Sequence, residues 1–166
     1  MFFFQSNPFD VFIEEEFIHF GLEDKTIEEC WINSHWIRAL YGEDYLQKIK
    51  NQTIINGGII KGNSNNLKHF LDFVTNSISE NSHLDNGNNL LIMEQSVPIK
   101  YCLTFKEKIK LHSSKDSKIL TAGHSNFFTI DRSGLIVNDN KNPYSIIHQY
   151  DRFEILTHII NIKLSN

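Results

Sequence analysis

His148, Gln149, Asp151 and Arg152 crowd the end of a short apolar run, Ser145-Ile146-Ile147, near the C-terminus of the chain. An imidazole can ligate a divalent ion or move a proton, and a neighbouring carboxylate or amide can fix its tautomer. The same residues also suit a polar turn, with His148 bonded to backbone and Asp151 paired with Arg152 at the surface. His124, within Thr121-Ala122-Gly123-His124-Ser125, repeats the arrangement more weakly. A second stretch, TIINGGIIKG, is an apolar strand interrupted by Asn56-Gly57-Gly58. Main chain without Cβ lets another group come close, so this reads either as a bulge or as a place where a ligand lies against the backbone. It has neither the Walker spacing nor the GxGxxG order of a phosphate loop. Asp85-Asn86-Gly87 suits a turn or a helix cap, and becomes chemical only with a partner from elsewhere. The carboxylates of Glu14-Glu15-Glu16 and Glu23-Asp24 could serve a metal or acid-base work, although such runs are commonly solvated faces. His19, His35, His69, His83, His112 and His158 show no ligand spacing and read as solvated or partly packed. Spacing alone establishes no Ser/His/Asp or Cys/His nucleophile.

These groups need elements to hold them. Residues 1–5 read as the end of a buried strand closed by Ser6-Asn7-Pro8, and residues 11–20 as a second strand. Asn33 or Ser34 can cap a helix burying Ile37, Leu40 and Tyr41, which Gly42 breaks before a short helix over 43–50. Leu67, Phe70, Leu71, Val74 and Ile78 recur at i, i+3, i+4, i+7 and i+11, which predicts a helix from Asn63 or Ser64 with Lys68, Asp72 and Asn76 outward. Further along, a short helix is expected over 84–93, a strand over 98–102 and a polar loop over 106–118. Short strands follow at 119–120, 127–130 and 135–136, with turns at 131–134 and 138–143, and then the strand 144–148. Strands alternating with helices, then hairpins, indicate an α/β domain with a mixed sheet.

The chain has 166 residues, 40% of them hydrophobic with thirteen Phe, enough to fill the core of one domain. A formal net charge of −4 with no basic block gives no electrostatic footprint for nucleic acid or an anionic membrane. Cys30 and Cys102 match no metal or redox spacing and read as free thiols. No run of about 18 apolar residues occurs, and the opening aromatic run meets Gln5, Asn7 and Pro8 before it could form a signal core, so a soluble, cytoplasmic chain is the default expectation.

Taken in order, FFFQSNPFD, GLEDKTIEECWINSHWIRALYG, IINGGIIKGNSNNLKHFLDFV, HLDNGNN, LTAGH and IIHQYDR resemble segments of a family of GT-A-type glycosyltransferases over residues 2–152. The resemblance implies a partial GT-A-like fold, a mixed sheet flanked by helices that holds a nucleotide sugar at the carboxyl ends of its strands. It also implies a divalent metal, Mn2+ or Mg2+, that neutralises the diphosphate. On this resemblance Asn56, Gly57 and Gly58 form the small-residue loop beside the sugar, and Asp85 and Asn86 stand at an Asp-Gln pair near the reacting carbon. His148 would meet the metal or diphosphate, with Gln149 and Asp151 supporting it and Arg152 either countering phosphate charge or paired with Asp151.

Two departures accompany the match. Asn86 is one methylene shorter than the family's Gln, and the family's metal-binding aspartates would precede Phe2, where Met1 stands. The expectation is therefore a single, N-terminally shortened glycosyltransferase-like domain over residues 1–166, acting on a nucleotide sugar and a glycan or other acceptor. An anchor could lie in the missing part. Without those carboxylates, most of the electrostatic stabilisation of the leaving diphosphate would be lost. The alternative reading is a non-catalytic carbohydrate-binding or protein-interaction module that self-associates through an exposed sheet edge.

Overall fold

A computed structural model describes residues 1–7, 16–81, 89–115, 117–125 and 128–165. Two three-stranded mixed sheets carry the fold, flanked by helices, as an α/β class requires. One sheet has the order β3-β2-β4, where β2 is Ile18–Thr26, β3 is Thr53–Lys61 and β4 is Ile109–His112. Here β3 runs antiparallel and β4 parallel to β2. The other sheet has the order β1-β8-β5, formed by β1 (Phe2–Phe4), β5 (Ile119–Thr121) and β8 (Ile146–His148). A small hairpin of β6 (Thr129–Ile130) and β7 (Ile136–Val137) turns on Asp131, whose carboxylate accepts from the backbone of Ser133 and Leu135.

The helices divide by the cores they cover. Around α1 (Trp31–Tyr41), α2 (Glu43–Ile49), α3 (Ser64–Glu80) and α4 (Asn89–Thr104), a first core gathers Phe20, Ile37, Leu46, Ile54, Phe70 and Tyr101. Tyr101 is its hub, edge-on to Phe70 at 5.0 Å and Phe73 at 5.3 Å, with its hydroxyl bonded to His69 Nδ1 at 2.8 Å. A second core packs Leu120, Ile136, Tyr144 and Ile147 against Leu156 and Ile160 of α5 (Glu154–Leu164). Between them lies a small cluster of three isoleucines, Ile59 from β3, Ile119 from β5 and Ile146 from β8.

Several expectations are corrected. The opening aromatic run is not an interior strand: β1 lies at a sheet edge, with Phe2 and Phe4 44% and 54% exposed. Gln5 locks it in place, donating to the carbonyls of Ile136 and Tyr144 and accepting from the Ile136 N–H. The second strand begins later, at Ile18, and runs through Glu23 and Asp24; residues 8–15, and with them Glu14 and Glu15, lie outside the described residues. Helix α1 starts at Trp31 with Cys30 at its cap position, and Asn33 is buried within it. Residues 98–102 are helical, because α4 is packed against β3, α1 and α3 and is apolar on most sides, which hides its period. The expected polar loop contains β4, and α5 has no counterpart in the sequence reading. Asn63 caps α3 as expected, its side chain accepting from the Asn66 N–H. On that helix Leu71 and Ile78 stay exposed beside an apolar groove of about 230 Å³ shared with Gly57, Ile60 and Met93. Among the described residues no helix is long and apolar enough to cross a membrane.

Candidate functional site

Strands β5 and β8 are parallel and in register, so Thr121 and His148 end their strands side by side. The chain then turns sharply from each tip, at Ala122–His124 and Tyr150–Arg152, with Gln149 in the left-handed conformation at φ 59°. The carboxyl ends of parallel strands are where open α/β sheets present ligands. Facing these tips is the irregular part of the other sheet. Strand β3 loses register with β2 between Phe20 and Gly21, so that residues 57–59 bulge out of the ladder.

That bulge brings the two sequence-predicted segments into contact. A Cβ on Gly58 would lie 2.6 Å from His148 Cε1, 2.9 Å from its Nε2 and 3.0 Å from Asn56 Oδ1. A Cβ on Gly21 would lie 3.3 Å from Thr121 Oγ1. Glycine at these positions is therefore what allows the strand tips to sit directly on the bulge. Asn56 holds it in shape, since its Oδ1 accepts from the Gly58 N–H at 2.9 Å.

Behind Asn56 is a buried carboxylate. Glu23 Oε1 accepts from Asn56 Nδ2 at 3.1 Å and from Gln95 Nε2 at 3.1 Å, and Gln95 also donates to the Ile55 carbonyl. The expectation of a solvated Glu23-Asp24 run is thus corrected: Glu23 is buried and bonded to two amides. On its open side it lines a cavity of about 310 Å³ with Asp24, Lys25 and Lys115, at the small end of the range for ligand pockets. Burial pushes the Asp24 carboxyl above its ordinary range, while the Ser125 hydroxyl and Lys115 oppose the shift.

His148 is only 7% exposed. Phe2 stacks on its ring at 4.4 Å, Gly58 meets its edge, and its Nδ1 is buried without a hydrogen-bond partner among the described residues. Burial pushes its pKa down to about 4, assisted by the N-terminal ammonium and Arg152 and opposed by Asp151. At neutral pH the ring is uncharged. The buried atoms Thr121 Oγ1 and Gln149 Oε1 are also without partners, the latter lying over Gly123, where a Cβ would be 2.1 Å away.

The remaining candidates are placed differently. Asp151 does not pair with Arg152; it lies 3.7 Å from the N-terminal ammonium, and Arg152 is exposed. Asp85 and Asn86 lie outside the described residues. His19 and His112, read as solvated or partly packed, are buried and share a hydrogen bond of 2.9 Å between His19 Nδ1 and His112 Nε2. Sequence reading missed that pair, Thr121 and Gln95. The fixed two-residue alternation that puts His19, Gly21 and Glu23 on one face of β2 was the available signal.

A divalent ion held by His148 is not supported by the donor set. Among the described residues no three His, Cys, Asp or Glu side chains come together, and the His148 ring is enclosed by Phe2 and Gly58 with no carboxylate bonded to it. Among the described residues His148 supplies one nitrogen ligand to such an ion. No protein-family model, curated protein or solved structure matches this chain.

Proposed function

We propose that this chain binds a nucleotide-activated sugar in the seam between its two sheets, as a glycosyltransferase-like protein. One observation carries the reading: the Asn56-Gly57-Gly58 bulge and His148, distant in sequence and singled out by the family resemblance, meet at the carboxyl ends of two parallel strands. The chain's own residues have plain roles in such a site. Glycine at position 58 lets the imidazole of His148 lie directly against the main chain, because a side chain there would strike it. Glu23, fixed by the amides of Asn56 and Gln95, presents a preorganised acceptor at the edge of the adjoining cavity. Phe2 covers one face of His148 and keeps water from it.

Calorimetric titration with UDP-sugars and GDP-sugars, with manganese in the buffer, tests this. Saturable binding that Asn56→Ala weakens is the expected result, because that change removes both the Glu23 contact and the brace on Gly58. Absence of binding to every donor overturns the reading. Release of nucleoside diphosphate in the presence of an acceptor separates a transferase from the alternative, a non-catalytic carbohydrate-binding module. Donor binding without release assigns the latter.

A further inference from the structure

Glu23 poses a problem of charge that the fold leaves open. The residue is 6% exposed, and the partners of its carboxylate are two neutral amides, Asn56 and Gln95, both on Oε1. Among the described residues its other oxygen makes no hydrogen bond, and neither oxygen takes part in an ion pair. A buried carboxylate is costly unless a positive group meets it. Glu23 borders a real space, the cavity of about 310 Å³ that it shares with Asp24, Lys25, Glu29 and Lys115.

The other carboxylates of that lining are already attended. Thr26 donates to Glu29 through its N–H, at 2.7 Å, and through its hydroxyl, at 2.9 Å. The Ser125 hydroxyl and the Lys115 ammonium both act on Asp24. One cavity therefore presents a buried carboxylate without a counter-ion together with the ammonium groups of Lys25 and Lys115.

Those charges select the ligand. A metal ion needs several converging ligands, and among the described residues no three His, Cys, Asp or Glu side chains come together. An inorganic anion suits the lysines but meets Glu23 with like charge. A neutral polyol leaves Glu23 without its counter-ion. A plain amine answers Glu23, since an ammonium brings three N–H donors and bonds strongly to a carboxylate, but it sets its charge against the lysines. A small zwitterion answers both signs at once. The cavity stands at the low end of the range for ligand pockets, which suits a compact molecule.

We infer that this cavity binds a free α-amino acid, with its ammonium on Glu23 and its carboxylate towards Lys25 and Lys115. The inference goes beyond the donor reading and does not rest on it. The bulge and the cavity meet at the Asn56–Glu23 hydrogen bond, but an amino acid needs no nucleotide sugar in order to bind here.

The test titrates the full, uniformly 15N-labelled chain with glycine, L-alanine, L-serine, L-glutamate and L-lysine, following the backbone amide signals of residues 22–26 and 113–115 by NMR. At least one of these amino acids should move them saturably. Its N-acetyl derivative, which lacks the ammonium, and its methyl ester, which lacks the carboxylate, should each bind about 10-fold more weakly or worse. Glu23→Gln keeps the size of the side chain and an oxygen for the two amides, and should weaken the amino acid by about 10-fold or more. Replacing Lys25 and Lys115 together by Met should weaken the amino acid but not its methyl ester, a split that a general loss of structure would not produce. Melting curves check that the variants fold; should Glu23→Gln not fold, the derivatives titrated against the unaltered chain decide the matter. If none of the amino acids moves these amides saturably, or if the N-acetyl derivative binds as tightly as its parent, the inference is overturned. A methyl ester that binds as tightly as its parent makes the ligand a plain amine and overturns it too. No titrant contains a nucleotide, so failure here leaves the donor reading standing, and failure of the donor titrations leaves this inference standing.

Discussion

Replacing Gly58 with alanine probes the contact on which the site depends. The new methyl would sit 2.6 Å from His148 Cε1 and 2.9 Å from Nε2, whereas carbon contacts settle near ~3.5–4.0 Å. The ring must therefore retreat by roughly 1 Å. It has little freedom to do so, with Phe2 stacked on it and β8 paired on both sides. Overpacking of this kind costs about 1–3 kcal/mol. Stiffening of the unfolded chain returns about 0.4–1 kcal/mol, because Gly58 is not in the left-handed region and alanine fits its backbone. The net expectation is a loss of about 1–2 kcal/mol, read as a melting temperature lower by ~2–8 °C for a chain of this size. Denaturant unfolding of Gly58→Ala, His148→Ala and the double variant then isolates the contact. With the ring gone the methyl has room, so the double variant should be at least ~1 kcal/mol more stable than the sum of the singles predicts. Additivity within about 0.5 kcal/mol would refute the claim that glycine is required there by the imidazole. Gly42→Ala supplies the contrast: no atom lies within 4 Å of the added Cβ, yet φ is +84°, so its cost of about 1–3 kcal/mol should not depend on His148.

Acid should act on the same residue. The His148 pKa is lowered in the folded state to about 4 from 6.5, so between those values the unfolded chain binds more protons. Its contribution is present in full above about pH 6.5 and is lost as pH falls toward 4; the stability difference between the unaltered chain and His148→Gln should follow that window in urea titrations. Glu23→Ala strands the Asn56 and Gln95 amides and should cost about 1–3 kcal/mol by denaturant unfolding, with donor affinity falling alongside. Cys102 is buried and burial pushes its thiol well above the ordinary range, whereas Cys30 is half-buried. A thiol reagent should accordingly label one cysteine rapidly in the folded chain and both after unfolding.

How far the sequence carried these conclusions differs by element. Helix α3 was legible because Leu67, Phe70 and Val74 keep a helical period against an otherwise polar face. The glycine bulge and the strand ending at His148 were legible because glycine and a polar cluster punctuate apolar runs. Helix α4 was not, since contact on several sides removes the contrast that periodicity needs and Pro98 suggests an end where the helix continues. Strand β4 was hidden because Lys110 and Leu111 lie exposed at a sheet edge, leaving few apolar positions to mark it. The site was half legible: Asn56, Gly58 and His148 stood out by type, but Thr121, Glu23 and Gln95 matter only through partners far away in the chain. The charge state of His148 could not be read from its neighbours Asp151 and Arg152, because burial beneath Phe2 outweighs both.

The three isoleucines between the two cores give this arrangement a mechanical side. Ile59 follows Gly58 directly, while Ile119 and Ile146 open the very strands that Thr121 and His148 close. Their combined bulk is the shim that sets how far apart the halves of the molecule stand, and hence how closely the strand tips press on the glycines opposite them. Trimming or enlarging any of them retunes that contact from below, a means of adjusting fit that replaces no polar group.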